Sequence, residues 1–199
     1  MRFFKNKADN RFLVVGLGNP GKQYKLTRHN IGFEALDFIA NDFGIRVTRS
    51  RFSALTGEGR VCGVNVTLLK PLTYMNLSGQ AVLAASKYYN ISPDRVVVIC
   101  DDVALIPGVI RIRAQGSSGG QKGLLSIEDM LETSQFTRLR IGVGQPNLGQ
   151  IKDYVLSFPT SKETELIKGR FSDISSAVKL IIEGKLSEAQ SLYNGGIQT

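Results

Sequence analysis

The chain holds a single histidine, His29, and the chemistry its neighbours allow is proton transfer. Imidazole is the side chain whose ordinary titration lies nearest neutrality, so a histidine in a polar loop is a candidate general base. It sits in FLVVGLGNPGKQYKLTRHNIGF, residues 12–33, after an apolar run and a glycine-rich turn. Arg28 and Asn30 flank it, and Asn19 belongs to the same unit. A helix cap or a satisfied core residue is the alternative for a lone histidine. An acid pair, Asp101-Asp102, follows the β-branched run from Arg95 to Cys100. Two carboxylates at the end of a buried strand are costly unless exposed, paired or used. Capping of the following turn is the other reading. If Asp101 meets His29, it accepts a hydrogen bond from one ring nitrogen, fixes the tautomer and stabilises the imidazolium. The other nitrogen then takes a proton from water. Asn19 and Asn76 could hold a carbonyl or donate to an oxyanion, because an amide both donates and accepts.

Other chemistries fail on spacing. Gly16-x-Gly18-x-x-Gly21 matches the dinucleotide fingerprint in letters only. Pro20 and the loop to Asn30 delay the helix, and Asp37 falls inside that helix rather than at the next strand end. Gly116 to Gly123 is no P-loop, since glycine follows Lys122, although its backbone N–H groups could still face an anion. Ser78, Ser117 and Ser118 lie in no G-x-S-x-G elbow. Cys62, Cys100 and His29 share no metal-ligand spacing, so neither metal nor cofactor is expected. Both cysteines read as reduced core residues of a cytosolic protein.

The elements that must position these residues follow from periodicity. Residues 12–17 read as a buried strand, and Asn30 as the N-cap of a helix with Ile31, Ala35, Phe38 and Ile39 at helical spacing, ended by Gly44. Residues 57–63 read as a hairpin turn region and 64–69 as a strand. After the loop 71–76, Ser78 could cap a helix that runs to Tyr88 and Tyr89, and the strand 95–100 follows. Arg111-Ile-Arg113 and Arg138-Leu-Arg140 alternate, which puts each arginine pair on one face of a strand. Residues 124–131, 161–183 and 186–193 have helical patterns. Strands alternating with helices give an α/β fold, a single-domain three-layer sandwich with a mixed, mostly parallel central sheet. The loops after the strands at 12–17, 64–69 and 95–100 then gather at one edge, with Asn19, His29, Tyr74, Met75, Asn76 and Asp101.

A chain of 199 residues with 42% hydrophobic content suits one domain with a real core. Residues 1–10 read as a flexible basic N-terminus without the apolar stretch of a signal peptide, and 11–199 as the domain. No apolar run approaches a membrane span, so no membrane partner is expected. A net charge of +8 is enough to attract a polyanion, and the arrangement of the charges decides whether it does.

The segments GLGNPGKQYKLTRHNIGF, KPLTYMNLSGQAV, DDVALIPGVIRIR, GGQKGL and RLRIGVG, in that order and spacing, resemble the bacterial peptidyl-tRNA hydrolase family over residues 13–144. The resemblance implies a monomeric α/β enzyme that cleaves the ester between a peptide and the tRNA 3′ end without a metal. It implies His29 as base, Asp101 as its supporting carboxylate, and Asn19 and Asn76 as substrate-positioning amides. It implies Tyr24, Tyr74 and Met75 as walls near the tRNA end, and Arg113 and Arg140 as contacts to tRNA phosphate. Lys122 would extend that positive edge. The chain departs from the family at Gln121-Lys122, where His-Asn is usual, and at Cys100, where His is frequent. Lys122 can donate but not accept, so a contact of the usual Asn must change or be lost. A non-catalytic RNA-binding relative with the same basic face is the alternative. A generic esterase is a weaker one, because it leaves the paired arginines unexplained.

Overall fold

The computed structural model describes residues 10–145 and 150–194, so the expected N-terminal extension lies, but for Asn10, outside the described residues. The chain order is β1 (Phe12–Gly16), α1 (Ile31–Asp42), β2 (Arg49–Arg51), β3 (Ala54–Val61), β4 (Val64–Pro71), α2 (Ser78–Tyr89), β5 (Val96–Asp102), β6 (Ile110–Arg113), α3 (Lys122–Leu131), β7 (Thr137–Gly142), α4 (Ile151–Val155), α5 (Ser161–Lys168), α6 (Phe171–Ile182) and α7 (Leu186–Tyr193). The strands form one sheet in the order β2-β3-β4-β1-β5-β7-β6. The central four, β4, β1, β5 and β7, run parallel, and β2, β3 and β6 add antiparallel flanks.

A parallel strand covered on both faces must be apolar at successive positions, which is why Leu13-Val14-Val15 and Val96 to Cys100 read as unbroken runs. Alternation then divides each run between two cores. Val14, Ile99 and Leu139 pack with α1 and α6, whereas Leu13, Val15 and Val98 pack with α2 and α3. The three-layer sandwich with a mixed sheet is the architecture observed. Among the described residues no helix is long and apolar enough to cross a membrane.

Local features differ from the sequence reading for identifiable reasons. Gly57 and Gly59 belong to β3, and the turn is confined to Cys62-Gly63. Those glycines make room for the segment after α1: a Cβ on Gly57 would lie 2.5 Å from the carbonyl oxygen of Arg46, and one on Gly59 2.6 Å from Ile45 Cγ1. Cys62 is therefore an exposed turn residue, and only Cys100 lies in the core. Ser78 does not cap α2. It is the first helical residue, is buried, and follows a 3₁₀ turn at Met75–Leu77. The amphipathic stretch 161–183 is two helices, because the chain tightens at Gly169 with Arg170 N–H donating to Ile167 O.

The site's geometry depends on one close approach. The first turn of α1 presses against the carboxyl ends of β1 and β5 at Gly32, where a Cβ would stand 2.4 Å from the carbonyl oxygen of Ile99 and 2.6 Å from the backbone of Leu17. No rotamer relieves a clash with backbone on two strands. We expect Gly32→Ala to destabilise the fold by about 1–3 kcal/mol, the usual cost of overpacking. A urea denaturation curve with an unchanged midpoint would contradict this.

Candidate active site

His29 lies in a 3₁₀ turn, Arg28–Asn30, directly before α1. Neighbours pin this turn on both sides. On one side, Arg28 Nη1 donates to Ser157 Oγ and Phe158 O, each at 2.7 Å, and Nη2 donates to Glu163 Oε2 at 2.8 Å. The same guanidinium stacks on the Tyr154 ring at 4.2 Å. On the other side, Asn30 forgoes the expected side-chain cap of α1. Its Oδ1 accepts from Asn19 N–H at 2.8 Å and its Nδ2 donates to Asn19 O at 3.0 Å. The glycine-rich turn is thereby locked to the histidine turn.

His29 Nδ1 stands 2.9 Å from Asp101 Oδ2, with both residues buried. The carboxylate can only accept, so Nδ1 carries the proton and Nε2 keeps its lone pair. The second carboxylate oxygen, Oδ1, accepts from Gln121 Nε2 at 3.0 Å. Asn19 Oδ1 accepts from Met75 N–H at 2.8 Å, which ties the loop after β4 to the one after β1. Asn19 Nδ2 is left without a protein partner among the described residues. A cleft of about 510 Å³ opens over this arrangement. It is lined by Asn19, His29, Tyr74, Met75, Asn76, Asp101, Gln121, Lys122 and Arg140, and by Ile151, Lys152, Val155 and Leu156 from α4 and its end.

The next carboxylate has a different environment. Asp102 Oδ1 accepts from Ala104 N–H at 2.8 Å and Oδ2 from Arg140 Nη1 at 3.2 Å. Arg140 Nη2 donates to Ser117 O and Ser118 O at 2.8 and 3.1 Å. Arg140 therefore staples the glycine-rich loop to the end of β5. In the β6–β7 register Arg111 faces Arg140 and Arg113 faces Arg138, so all four project from one side of the sheet. They are not equivalent. Arg138 is buried, paired with Glu128 at 2.7 Å and stacked on Phe136 at 4.1 Å. Arg111 and Arg113 are exposed. Beneath the site, burial pushes the Cys100 thiol well above its ordinary range, and the neighbouring Asp101 charge adds to this, so Cys100 is an inert packing residue.

Of the residues singled out in the sequence, Asn19, His29, Tyr74, Met75, Asn76, Asp101, Lys122 and Arg140 meet at the cleft. Tyr24, in its own 3₁₀ turn, and Arg113, at the end of β6, are not among its lining residues. Gln121 and the α4 wall carried no role in the sequence reading. The signal for Gln121 was its place just before a helix, where its side chain accepts from Gly123 and Leu124 N–H. α4 has only five residues, too few for a period to register.

Parallel strands whose carboxyl ends bring a buried carboxylate to one imidazole define the class: an α/β protein with a His–Asp pair at a cleft. The sequence profile of the peptidyl-tRNA hydrolase family matches residues 13–199, and the chain belongs to that family. It is 45% identical over 184 residues to a peptidyl-tRNA hydrolase of Clostridium botulinum (strain Alaska E43 / Type E3), covering 92% of this chain and 96% of the relative. It is 47% identical to one of Moorella thermoacetica, covering 92% and 97%. The crystal structure of peptidyl-tRNA hydrolase from Acinetobacter baumannii superposes with a TM-score of 0.89 at 38% identity, over 95% of this chain and 97% of that one.

The Arg28–Glu163 pin has a pH signature. Burial alone would raise the Glu163 carboxyl. Bonds from Thr160 N–H, the Thr160 hydroxyl and the Arg28 guanidinium outweigh burial and hold it below its ordinary value of 4.5. A carboxylate with a lowered folded-state value contributes stability that is fully present above 4.5 and is lost as pH falls through the lowered value. Thermal melts of wild type and Glu163→Gln should therefore differ most at neutral pH and converge as the pH drops through that window. A difference that stays constant with pH would contradict the assignment.

Proposed function

We propose that the protein hydrolyses the ester joining a peptide, or an N-blocked amino acid, to the 3′ end of tRNA. The observation that carries this reading is the 2.9 Å contact of His29 Nδ1 with Asp101, both lining the cleft, in a chain of this family. In the proposed route Nε2 takes a proton from a water molecule as its oxygen attacks the ester carbonyl. Asp101 stabilises the imidazolium that forms. Asn19 Nδ2 and the Asn76 amide donate to the oxygen that becomes negative. Collapse of the tetrahedral intermediate breaks the bond to the ribose 3′ oxygen, and the imidazolium returns its proton to that leaving oxygen. The route uses these side chains and water.

The tRNA end would lie along Tyr74 and Met75, with Tyr24 an outer contact. Exposed Lys122, Lys152 and Arg113 would face phosphates. Arg140 would act through the loop it holds, since its guanidinium is already committed to Asp102 and two carbonyls. The intact His29–Asp101 pair favours the enzyme over a non-catalytic RNA-binding relative. A monomer acting in the cytoplasm fits this substrate.

The direct test is release of the blocked amino acid from N-acetyl-aminoacyl-tRNA, with free aminoacyl-tRNA as control. Wild type should hydrolyse the first and spare the second. His29→Ala should lose about 10²–10⁴-fold while still binding tRNA, the usual cost of removing a general base. A wild-type rate in that variant would end the mechanism. For the basic edge, Arg113→Ala should weaken tRNA binding and reduce the log–log salt slope by about 0.7–0.9. A short substrate carrying only the 3′ end should suffer less. Equal losses on short and full-length substrates would place Arg113 outside any phosphate contact.

A further inference from the structure

The Gln121 side chain performs two tasks at once. Its Oε1 accepts from Gly123 N–H at 2.6 Å and Leu124 N–H at 2.9 Å, which caps α3. Those two donors fix the orientation of the amide, because only a carbonyl oxygen can accept from them. Nε2 must then point the other way, where it donates to Asp101 Oδ1 at 3.0 Å and lies 3.4 Å from Met75 Sδ. Asp101 is only 3% exposed, so without this donor one carboxylate oxygen would be buried and unsatisfied.

Resting on the hydrolytic reading above, we infer that Gln121 is a positioning residue for the reaction, holding the Asp101 carboxylate at the angle His29 needs. The donor is neutral and non-titrating, so it holds the carboxylate equally at every working pH. It also tempers the carboxylate. A donor on Oδ1 draws charge from Oδ2, which keeps the imidazole from being held too strongly in its protonated form. The remaining ionisable groups around the pair are accounted for. Asp102 and Arg140 neutralise each other, Cys100 is a buried thiol in β5 just before Asp101, Arg28 is paired with Glu163, and Lys122 and Lys152 line the cleft. The Tyr74 phenol stands at the exposed rim. None of these other side chains donates to Asp101 Oδ1.

Two variants separate this role from capping. Gln121→Glu keeps the acceptor for Gly123 and Leu124 N–H and suits a helix N-terminus, but cannot donate to Asp101 when ionised. Gln121→Ser keeps a good N-cap and cannot reach Asp101. On N-acetyl-aminoacyl-tRNA, both should remain folded but melt below wild type, Gln121→Glu the more so because a second buried carboxylate then faces Asp101, and both should lose about tenfold in kcat with little change in KM, the scale of one hydrogen bond to a charged group. The acid limb of the kcat–pH profile should move to higher pH in both, further for Gln121→Glu, because a less tempered carboxylate holds the imidazolium more tightly. Wild-type kcat and an unshifted limb in both variants would reduce Gln121 to a helix cap and overturn the inference, as would loss of folding in both. A change confined to KM would instead make it a substrate contact. Absence of hydrolysis by the wild-type protein would overturn the hydrolytic reading itself, an outcome distinct from these.

Discussion

The structure turns on the contact between His29 and Asp101, two buried groups 72 residues apart in sequence. A buried carboxylate is tolerated only when its oxygens are satisfied, and a hydrogen bond to a charged group contributes about 1.5–3 kcal/mol. Everything around the pair serves to bring it about. Gly32 lets α1 approach the strand ends closely enough for the preceding turn to meet β5. Asn30 fastens that turn to Asn19, and Asn19 fastens the loop that carries Met75. Arg28 holds the turn from outside through Ser157, Phe158 and Glu163. The amides that elsewhere would cap helices are used here to join three loops into one rigid rim.

Charge is arranged by the same logic. The chain carries a net +8, yet several of its arginines are committed internally. Arg138 is buried against Glu128, Arg28 against Glu163, and Arg140 against Asp102. An arginine held in this way orients a loop rather than recruiting a polyanion, because its guanidinium donors are already used. Exposed Lys122 and Lys152 line the cleft, and Arg111 and Arg113 are exposed on β6.

The fold was legible because parallel strands must be apolar on both faces and helices on one, and both patterns survive in the letters. The contact between His29 and Asp101 was legible too: one histidine after the first strand and one acid pair at the end of the most β-branched run leave few alternatives. Other features were hidden for physical reasons. Strict alternation put Arg138 and Arg140 on a common face correctly, but alternation cannot tell which guanidinium is exposed; that depends on Glu128 and Asp102, brought there by α3 and β5. Gly57 and Gly59 looked like a turn because the letter G marks both turns and close packing, and here Ile45 and Arg46 occupy the space. The break at Gly169 was masked by an apolar period that carries on across it. Gln121 resembled a loop residue because its two roles are set by what lies across the cleft.

The most direct test of the account is the protonation state of the His29 ring in solution. With only one histidine in the chain, nitrogen-15 labelling gives an unambiguous imidazole spectrum above the pH at which the ring is neutral. The account requires the proton on Nδ1, bonded to Asp101, with Nε2 bare toward the cleft. A neutral ring protonated on Nε2 would leave no base facing the substrate and would contradict it.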